Sequence, residues 1–211
     1  MTAHGIALDD TQVAALVTHY RLLGEANTRL NLTRLMTPED AVRWHYLDIL
    51  AALPCFTGNM PNCWVDVGSG GGFPGLVLAV ARPDWRLMLA ERRAKKAAFL
   101  RACVAELGLS PRVLVYAGEF EPGTARRALV SYGVDVSRET CGIVARAVED
   151  GRRRLPQLLK LPILVRAVFW LGAADATALV ECPPQGWMVE HLLPLPTGDR
   201  RTALALTRRA D

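Results

Sequence analysis

Several features that would assign the chain to a class are missing from its 211 residues. There is no run of about eighteen apolar residues, so we predict no membrane-spanning helix and no membrane partner. The opening residues, Met1-Thr2-Ala3-His4-Gly5, lack the charged and then apolar pattern of a secretory signal. The five cysteines include no C-x-x-C pair, which predicts reduced thiols, a cytoplasmic location and no metal site.

Lysine is also scarce, because it occurs only at Lys95, Lys96 and Lys160, and arginine therefore carries most of the positive charge. The net charge of +4 is mildly basic; it is compatible with a nucleic-acid partner but does not indicate one. Apolar residues make up 51% of the chain, enough for a real core. The length predicts one domain, or one domain with a short extension.

The first sixty residues read as helical. Asp9 is suited to cap a helix that runs to about Leu30. Thr37 and Pro38 begin a second helix, which ends before Pro54. We therefore predict that residues 1–60 form a helical extension packed on a core of residues 61–211, and that this core is a single unit.

From residue 63 onward, apolar runs alternate between strand and helix periodicity, which predicts a mostly parallel sheet with helices on both faces. Two late strands with no helix between them predict an antiparallel edge, for seven strands in all. The predicted strands are Cys63–Val67, Arg86–Ala90, Arg112–Tyr116, Cys141–Ala145, Ala167–Leu171, Trp187–Leu193 and Thr202–Thr207. The predicted helices are Gly75–Ala81, Ala94–Leu107, Thr124–Tyr132, Leu155–Leu164 and Ala173–Glu181.

A glycine-rich turn follows the first of these strands and precedes a helix, which is how a doubly wound sheet holds a nucleotide-like ligand. Its spacing, Gly68-x-Gly70-x-Gly72, differs from the dinucleotide pattern G-x-G-x-x-G and disfavours a nicotinamide dehydrogenase. It resembles the turn of class I methyltransferases, which bind S-adenosylmethionine. Asp66, just before the turn, is suited either to hold the loop or to face the methionine amine of that cofactor.

Polar residues also follow the next strands. Glu91 lies about twenty residues after Gly70, where an acid accepts hydrogen bonds from ribose hydroxyls; the alternative is a solvated charge at a helix start. Gly118 and Glu119 follow the third strand, where the loop either flanks an adenine or is a plain polar turn. Arg146 ends the fourth strand and predicts an anionic or nucleobase ligand, or else a structural salt bridge, for instance to Glu91 or Glu119.

Several segments, in order, resemble the glucose-inhibited division protein B family, over roughly residues 11 to 172. The glycine turn with its Phe-Pro-Gly extension is close to the family's D-V-G-[ST]-G-x-G-[FL]-P-G. The other matching segments are Asn31-Leu32-Thr33, Val42-Arg43-Trp44-His45-Tyr46-Leu47-Asp48 (with Trp44 shifting the usual order by one), Lys95-Lys96-Ala97-Ala98-Phe99-Leu100, Val144-Ala145-Arg146-Ala147-Val148 and Leu155-Pro156-Gln157-Leu158-Leu159.

The resemblance implies a bacterial S-adenosylmethionine-dependent methyltransferase that modifies guanine N7 in the 16S ribosomal RNA of the small subunit. It also implies cofactor contacts from the glycine turn (Gly68, Ser69, Gly70, Gly72 and Phe73), from Gly118, Glu119 and Arg146, and a place for Glu91 near the ribose. Arg146 and His45 become candidates for catalysis on the RNA side of the pocket, although a lone histidine on a helix is more often a packing residue or a partner of Asp48. The basic residues suited to face phosphates, or else to remain solvated, are Arg92, Arg93, Lys95 and Lys96.

The chain departs from the family pattern at three places. Leu171-Gly172 stands where the family has a Lys-Gly pair, and Cys141-Gly142 where it has Phe-Asp. Residues 149–154 look like an insertion whose three arginines are suited to replace lost phosphate contacts. A methyltransferase for a protein or small molecule, or a non-catalytic RNA-binding relative, are the alternatives. No helix shows an unexplained second apolar face, so we expect a monomer.

Overall fold

The computed structural model describes residues 7–146, 151–198 and 201–209, and only the backbone of residues 151–153. Seven strands form one sheet in the order β3-β2-β1-β4-β5-β7-β6. The first five strands are parallel, whereas β7 runs antiparallel to both β5 and β6. Their bounds are β1 Cys63–Val67, β2 Arg86–Ala90, β3 Val113–Tyr116, β4 Cys141–Arg146, β5 Leu164–Gly172, β6 Trp187–Pro194 and β7 Arg201–Arg208.

Helices cover both faces of the sheet, which confirms the predicted doubly wound α/β class with its antiparallel edge. Side chains alternate along each strand, so Trp64 packs into one apolar cluster and Val65 into the other. The helices are α1 Asp10–Leu30, α2 Pro38–Asp40, α3 Asp48–Leu50, α4 Gly75–Ala81, α5 Ala94–Glu106, α6 Pro122–Ser131, α7 Gly151–Leu158 and α8 Ala173–Glu181. None of the helices in the described ranges is long and apolar enough to cross a membrane.

The first helix packs directly on the α/β layers. Asp9 caps it as predicted, because its carboxylate accepts from the backbone nitrogen of Gln12 at 2.7 Å. Leu16 and Leu23 belong to the same apolar cluster as Leu76 of α4. The division into an extension of residues 1–60 and a core of residues 61–211 stays a proposal.

The second helix differs from the single helix predicted between Thr37 and Pro54. Thr37 does cap it, but a π-helical segment, Ala41–Leu47, separates α2 from α3. A π segment has wider turns than an α-helix and is frequently found at functional sites. The segment shifts the side chains that follow it around the helix axis, and no periodicity in a single sequence shows this.

One predicted helix is misplaced. We expected Leu155–Leu164, but α7 ends at Leu158, and Leu164 is instead the first residue of β5. Leu164 is fully buried and pairs with Cys141 at the start of β4, so burial in the sheet overrides the helical pattern. The five cysteines lie within the described ranges and are all free, with only Cys182 exposed.

Candidate functional site

The glycine-rich turn connects β1 to α4 at the edge where the parallel strands end. The backbone nitrogens of Gly68 and Ser69 both donate to the carbonyl oxygen of Ala90, at 2.9 and 3.1 Å, and so tie the loop to the end of β2. Gly68, Gly70 and Gly72 have φ angles of 75°, 54° and 93°, which side-chain-bearing residues rarely adopt. The glycines are thus required by the path of the loop.

Asp66 holds this loop from below. Its Oδ2 accepts a hydrogen bond from the backbone nitrogen of Gly75 at 3.0 Å, at the start of α4. The side chain is fully buried and its Oδ1 has no hydrogen-bond partner, and this burial raises the pKa of Asp66 to about 7. Asp66 therefore holds the loop, which is the first of the two roles predicted for it. It is not among the residues that line the cavity described next.

A cavity of about 360 Å³ opens above the glycine-rich loop. Eight of the candidate residues line this cavity, whereas Gly72, Gly118 and Asp66 are not among its lining residues. The lining residues are Leu32, Thr33, His45, Val67, Gly68, Ser69, Gly70, Gly71, Phe73, Glu91, Arg92, Arg93, Lys96, Glu119, Arg146, Arg154 and Arg201. The structure thus brings together most of what the sequence placed at strand ends.

Glu91 bridges the loop and the start of α5. Its Oε2 accepts from the backbone nitrogen of Gly70 at 3.0 Å, and its Oε1 from that of Arg93 at 2.8 Å. Glu91 is buried. Each of its carboxylate oxygens accepts one of these backbone hydrogen bonds and can accept a second one, from a hydroxyl group in the cavity. This position is the one expected of a ribose-binding acid.

Gly118 and Glu119 shape the wall next to Glu91. The backbone nitrogen of Gly118 donates to the carbonyl oxygens of Glu91 and Tyr116, each at 3.1 Å, and a Cβ at Gly118 would lie 2.8 Å from the Tyr116 ring. The carboxylate of Glu119 pairs with Arg154 at 2.6 Å. This pair ties the loop after β3 to α7.

His45 lies in the π segment with its ring against Phe73 of the glycine-rich loop, at a centroid distance of 4.5 Å and nearly parallel. Its Nε2 is 2.8 Å from the hydroxyl of Thr33. Burial, and then the nearby cations Arg146 and Arg201, lower the pKa of His45 to about 4, so the ring is neutral at pH 7. The alternative pairing with Asp48 does not occur, because that carboxylate has other partners.

Arg146 ends β4 and lines the cavity next to His45, with its side chain only 8% exposed. Its Nη2 donates to the carbonyl oxygen of Trp44 at 2.5 Å and lies 3.8 Å from Oδ2 of Asp48, whereas its Nη1 has no hydrogen-bond partner among the described residues. Burial lowers the pKa of Arg146 to about 10, which leaves it cationic at pH 7. The alternative of a structural salt bridge is therefore observed, but its partner is Asp48 of α3 and not Glu91 or Glu119.

The rim of the cavity is basic. Arg92, Arg93 and Lys96 line it, whereas Lys95 is exposed on α5 outside the lining. Of the predicted insertion, Arg154 lines the cavity. Residues 149 and 150 and the side chains of residues 152 and 153 lie outside the described residues, as do residues 147 and 148 of the segment that begins at Val144.

Sequence reasoning missed Thr33, Asp48 and Arg201 as site residues. Thr33 and Asp48 belong to matching segments, so their position in those segments was an available signal. Arg201 lies in the hairpin of β6 and β7, and as one arginine among many it carried no sequence signal for a place in the site. Within the described ranges, no group of three or more His, Cys, Asp or Glu residues could hold a metal ion.

Solved structures with a similar fold include a variant of MtNAS in complex with S-adenosylmethionine, with a TM-score of 0.55 at 16% identity, covering 93% of this chain and 76% of that one. Another is the precorrin-6y C5,15-methyltransferase from Geobacter metallireducens, with a TM-score of 0.55 at 12% identity, covering 90% of this chain and 98% of that one. Together with the seven-stranded sheet, these likenesses establish the class I methyltransferase fold.

The chain also has curated relatives. It is 39% identical over 145 residues to the Ribosomal RNA small subunit methyltransferase G of Burkholderia ambifaria, an alignment that covers 69% of this chain. The matched part spans 60% of that relative's length. The family described as GidB, rRNA small subunit methyltransferase G, matches residues 12–162. Since that match takes in most of the chain, in the order of its motifs, the chain belongs to the GidB family.

Proposed function

We propose that this protein transfers a methyl group from S-adenosylmethionine to N7 of a guanine in the 16S ribosomal RNA of the small subunit. One observation carries the proposal: among the described residues, a single cavity is lined by the glycine-rich loop, by the acid Glu91 and by the buried Arg146, whose Nη1 has no hydrogen-bond partner there. The names of the curated relatives, ribosomal RNA small subunit methyltransferase G, support the same reaction.

The described residues fit S-adenosylmethionine. Gly68, Ser69 and Gly70 leave a wall without bulky side chains, and Glu91 offers its carboxylate to the ribose. Phe73 adds an apolar surface to the same wall. When bound there, the sulfonium group supplies an activated methyl.

Guanine N7 has a lone pair and no proton, so its attack on a methyl group needs no general base. This agrees with a neutral His45, which packs on Phe73 and lines the cavity without carrying a charge. What the protein must do is hold the base in line with the methyl group and exclude water. His45 and Phe73 form a wall for this purpose, and Arg146, next to His45, fixes the nucleotide.

The proposed substrate also bears on the location and the oligomeric state of the protein. We propose that it acts on the small ribosomal subunit or its RNA as a monomer in the cytoplasm. The basic rim formed by Arg92, Arg93 and Lys96 supports an RNA substrate, because cations at a cavity mouth attract the phosphate backbone.

The test is transfer of labelled methyl to unmodified small subunits and to their stripped RNA, with the product base mapped. We expect N7-methylguanine at one position. Arg146→Ala should lower the rate by about 100-fold or more, with circular dichroism showing an intact fold. The matched control is Arg138→Ala, which removes an 86% exposed arginine before β4, at the opposite edge of the sheet. Cofactor binding without transfer to either RNA would indicate another substrate or a non-catalytic relative.

A further inference from the structure

A single buried carboxylate holds two arginines at the wall of the cavity. Asp48 is fully buried, and its Oδ2 lies 2.8 Å from Nη1 of Arg201 and 3.8 Å from Nη2 of Arg146. Its Oδ1 accepts a hydrogen bond from the hydroxyl of Thr197. Both oxygens of Asp48 are therefore engaged in fixing the two guanidinium groups and the segment before β7.

The two arginines come from distant parts of the chain. Arg146 ends β4, whereas Arg201 begins β7 and pairs with Gly172 at the end of β5. Arg201 and Thr197 lie beyond residues 12–162, the part that matches the family. Leu171, where the resemblance led us to expect a lysine, pairs with Thr202, the residue after Arg201. The hairpin of β6 and β7 thus supplies a second cation to the wall that Arg146 lines.

Among the described residues, the charges on this wall do not cancel. One carboxylate faces two guanidinium groups, and the Nη1 of Arg146 is buried without a partner while its side chain lines the cavity. Arg201 is 29% exposed and lines the same cavity. A buried cation with an unused donor is costly unless an anion completes it. The wall therefore fits a ligand with paired anionic oxygens.

We propose that Arg146 and Arg201, held side by side by Asp48, bind a phosphate group of the RNA nucleotide that receives the methyl group. This inference rests on the proposed function. A phosphate is favoured over the base itself, because a free cation on the base would oppose the positive charge that N7 methylation creates. Asp48 acts as a positioning residue, since it touches the arginines and not the RNA.

The carboxylate of S-adenosylmethionine has similar chemistry, so the test measures both ligands. RNA affinity of the full chain is measured with unmodified 16S RNA over a range of salt concentrations, and cofactor affinity by calorimetry with S-adenosylhomocysteine. We expect Arg201→Ala to weaken RNA binding about 10-fold and to reduce the slope of log K against log salt by about 0.7–0.9. The affinity for S-adenosylhomocysteine should stay within about twofold, and Arg201→Lys should keep most of the salt slope.

The role of Asp48 is tested by a double-mutant cycle. Asp48→Asn should weaken RNA binding, and the double variant Asp48→Asn with Arg201→Ala should lose less affinity than the sum of the two single losses, because Asp48 acts partly through Arg201 and partly through Arg146. A purely structural Asp48 would give additive losses. The control Arg138→Ala should leave both affinities and the salt slope unchanged, because this arginine lies at the other edge of the sheet.

Three results would overturn the inference. Loss of affinity for S-adenosylhomocysteine in Arg201→Ala, with RNA binding unchanged, would assign the two arginines to the cofactor's carboxylate. Unchanged affinity for both ligands would make the arginines structural. In either case a wild-type protein that binds and methylates 16S RNA leaves the proposed function intact, whereas a wild-type protein that binds no RNA would overturn both.

Discussion

The Nε2 of His19 lies 2.9 Å from the carbonyl oxygen of Gly71, and this contact ties the first helix to the glycine-rich loop. A carbonyl only accepts, so Nε2 donates and Nδ1 accepts from the hydroxyl of Tyr46, which is 3.0 Å away in the π segment. His19 is fully buried, and burial lowers its pKa to about 4. A neutral histidine thus joins α1, the π segment and the loop.

We expect this connection to set cofactor affinity. Tyr46→Phe removes the hydroxyl and leaves the buried Nδ1 of His19 without a donor, which should lower the free energy of unfolding by about 1–3 kcal/mol. Because His19 then holds Gly71 less firmly, affinity for S-adenosylhomocysteine should fall several-fold. Urea unfolding and calorimetry measure the two effects.

Tyr20→Phe provides the matched control. The Tyr20 hydroxyl donates to the carbonyl oxygen of Met36 at 2.7 Å, away from the glycine-rich loop. This variant should lose about 1 kcal/mol of stability while keeping its cofactor affinity. Equal cofactor affinities for the two variants would show that the hydrogen bond from Tyr46 to His19 is structural only.

The central parallel strands β1, β2 and β4 were predictable because they are buried on both faces and bounded by turns. Strands β1 and β2 have the predicted bounds, as do helices α4 and α8. Strand ends then placed Glu91, Glu119 and Arg146 correctly at one edge, since the carboxyl ends of parallel strands meet there.

Contacts between distant segments were not predictable. Asp48, directly after the π segment, pairs with Arg201, which lies 153 positions later in the chain, and sequence periodicity predicts neither the pair nor the π segment. In the sequence, His19 is one polar residue on an amphipathic helix. Only the position of the glycine-rich loop buries its ring and brings it within hydrogen-bond distance of the carbonyl oxygen of Gly71. Tertiary packing decides such roles, and a single sequence carries little signal for them.

The second prediction concerns Asp66 and pH. With its pKa raised from 3.8 to about 7, Asp66 holds a proton in the folded protein that it releases near pH 4 when unfolded. Its contribution to stability is therefore full below about pH 4 and is lost as pH rises toward 7, at up to about 1.4 kcal/mol per pH unit. His19 and His45, with pKa values lowered to about 4, contribute the opposite slope between pH 4 and 6.5.

Asp66→Asn isolates the effect of Asp66, because asparagine mimics the protonated acid and still accepts from Gly75. The difference in unfolding free energy, variant minus wild type, should rise between pH 4.5 and 7.5, while the histidine contributions cancel. Urea titrations at four pH values measure it. In the control Asp84→Asn the difference should be flat over this range, since Arg82 holds the pKa of exposed Asp84 below 3.8 even though partial burial opposes that shift. A flat difference for Asp66→Asn would show that its carboxyl ionises normally.

The third prediction distinguishes two reasons for a glycine at position 75, which are the lack of room for a side chain and the flexibility of the backbone. A Cβ at Gly75 would lie 2.4 Å from Cδ2 of Leu89 and 2.5 Å from Oδ2 of Asp66, so α4 can begin this close to the sheet only at a glycine. Gly75→Ala should therefore lower the free energy of unfolding by about 2–3 kcal/mol and disturb the glycine-rich loop. Gly123, in the first turn of α6, has no atom within 4 Å of a built Cβ, and Gly123→Ala should raise stability by about 0.5 kcal/mol. Thermal unfolding of the two variants measures the contrast. A destabilisation of the same size in both would mean that chain flexibility, and not the contact with Asp66 and Leu89, explains the glycine at position 75.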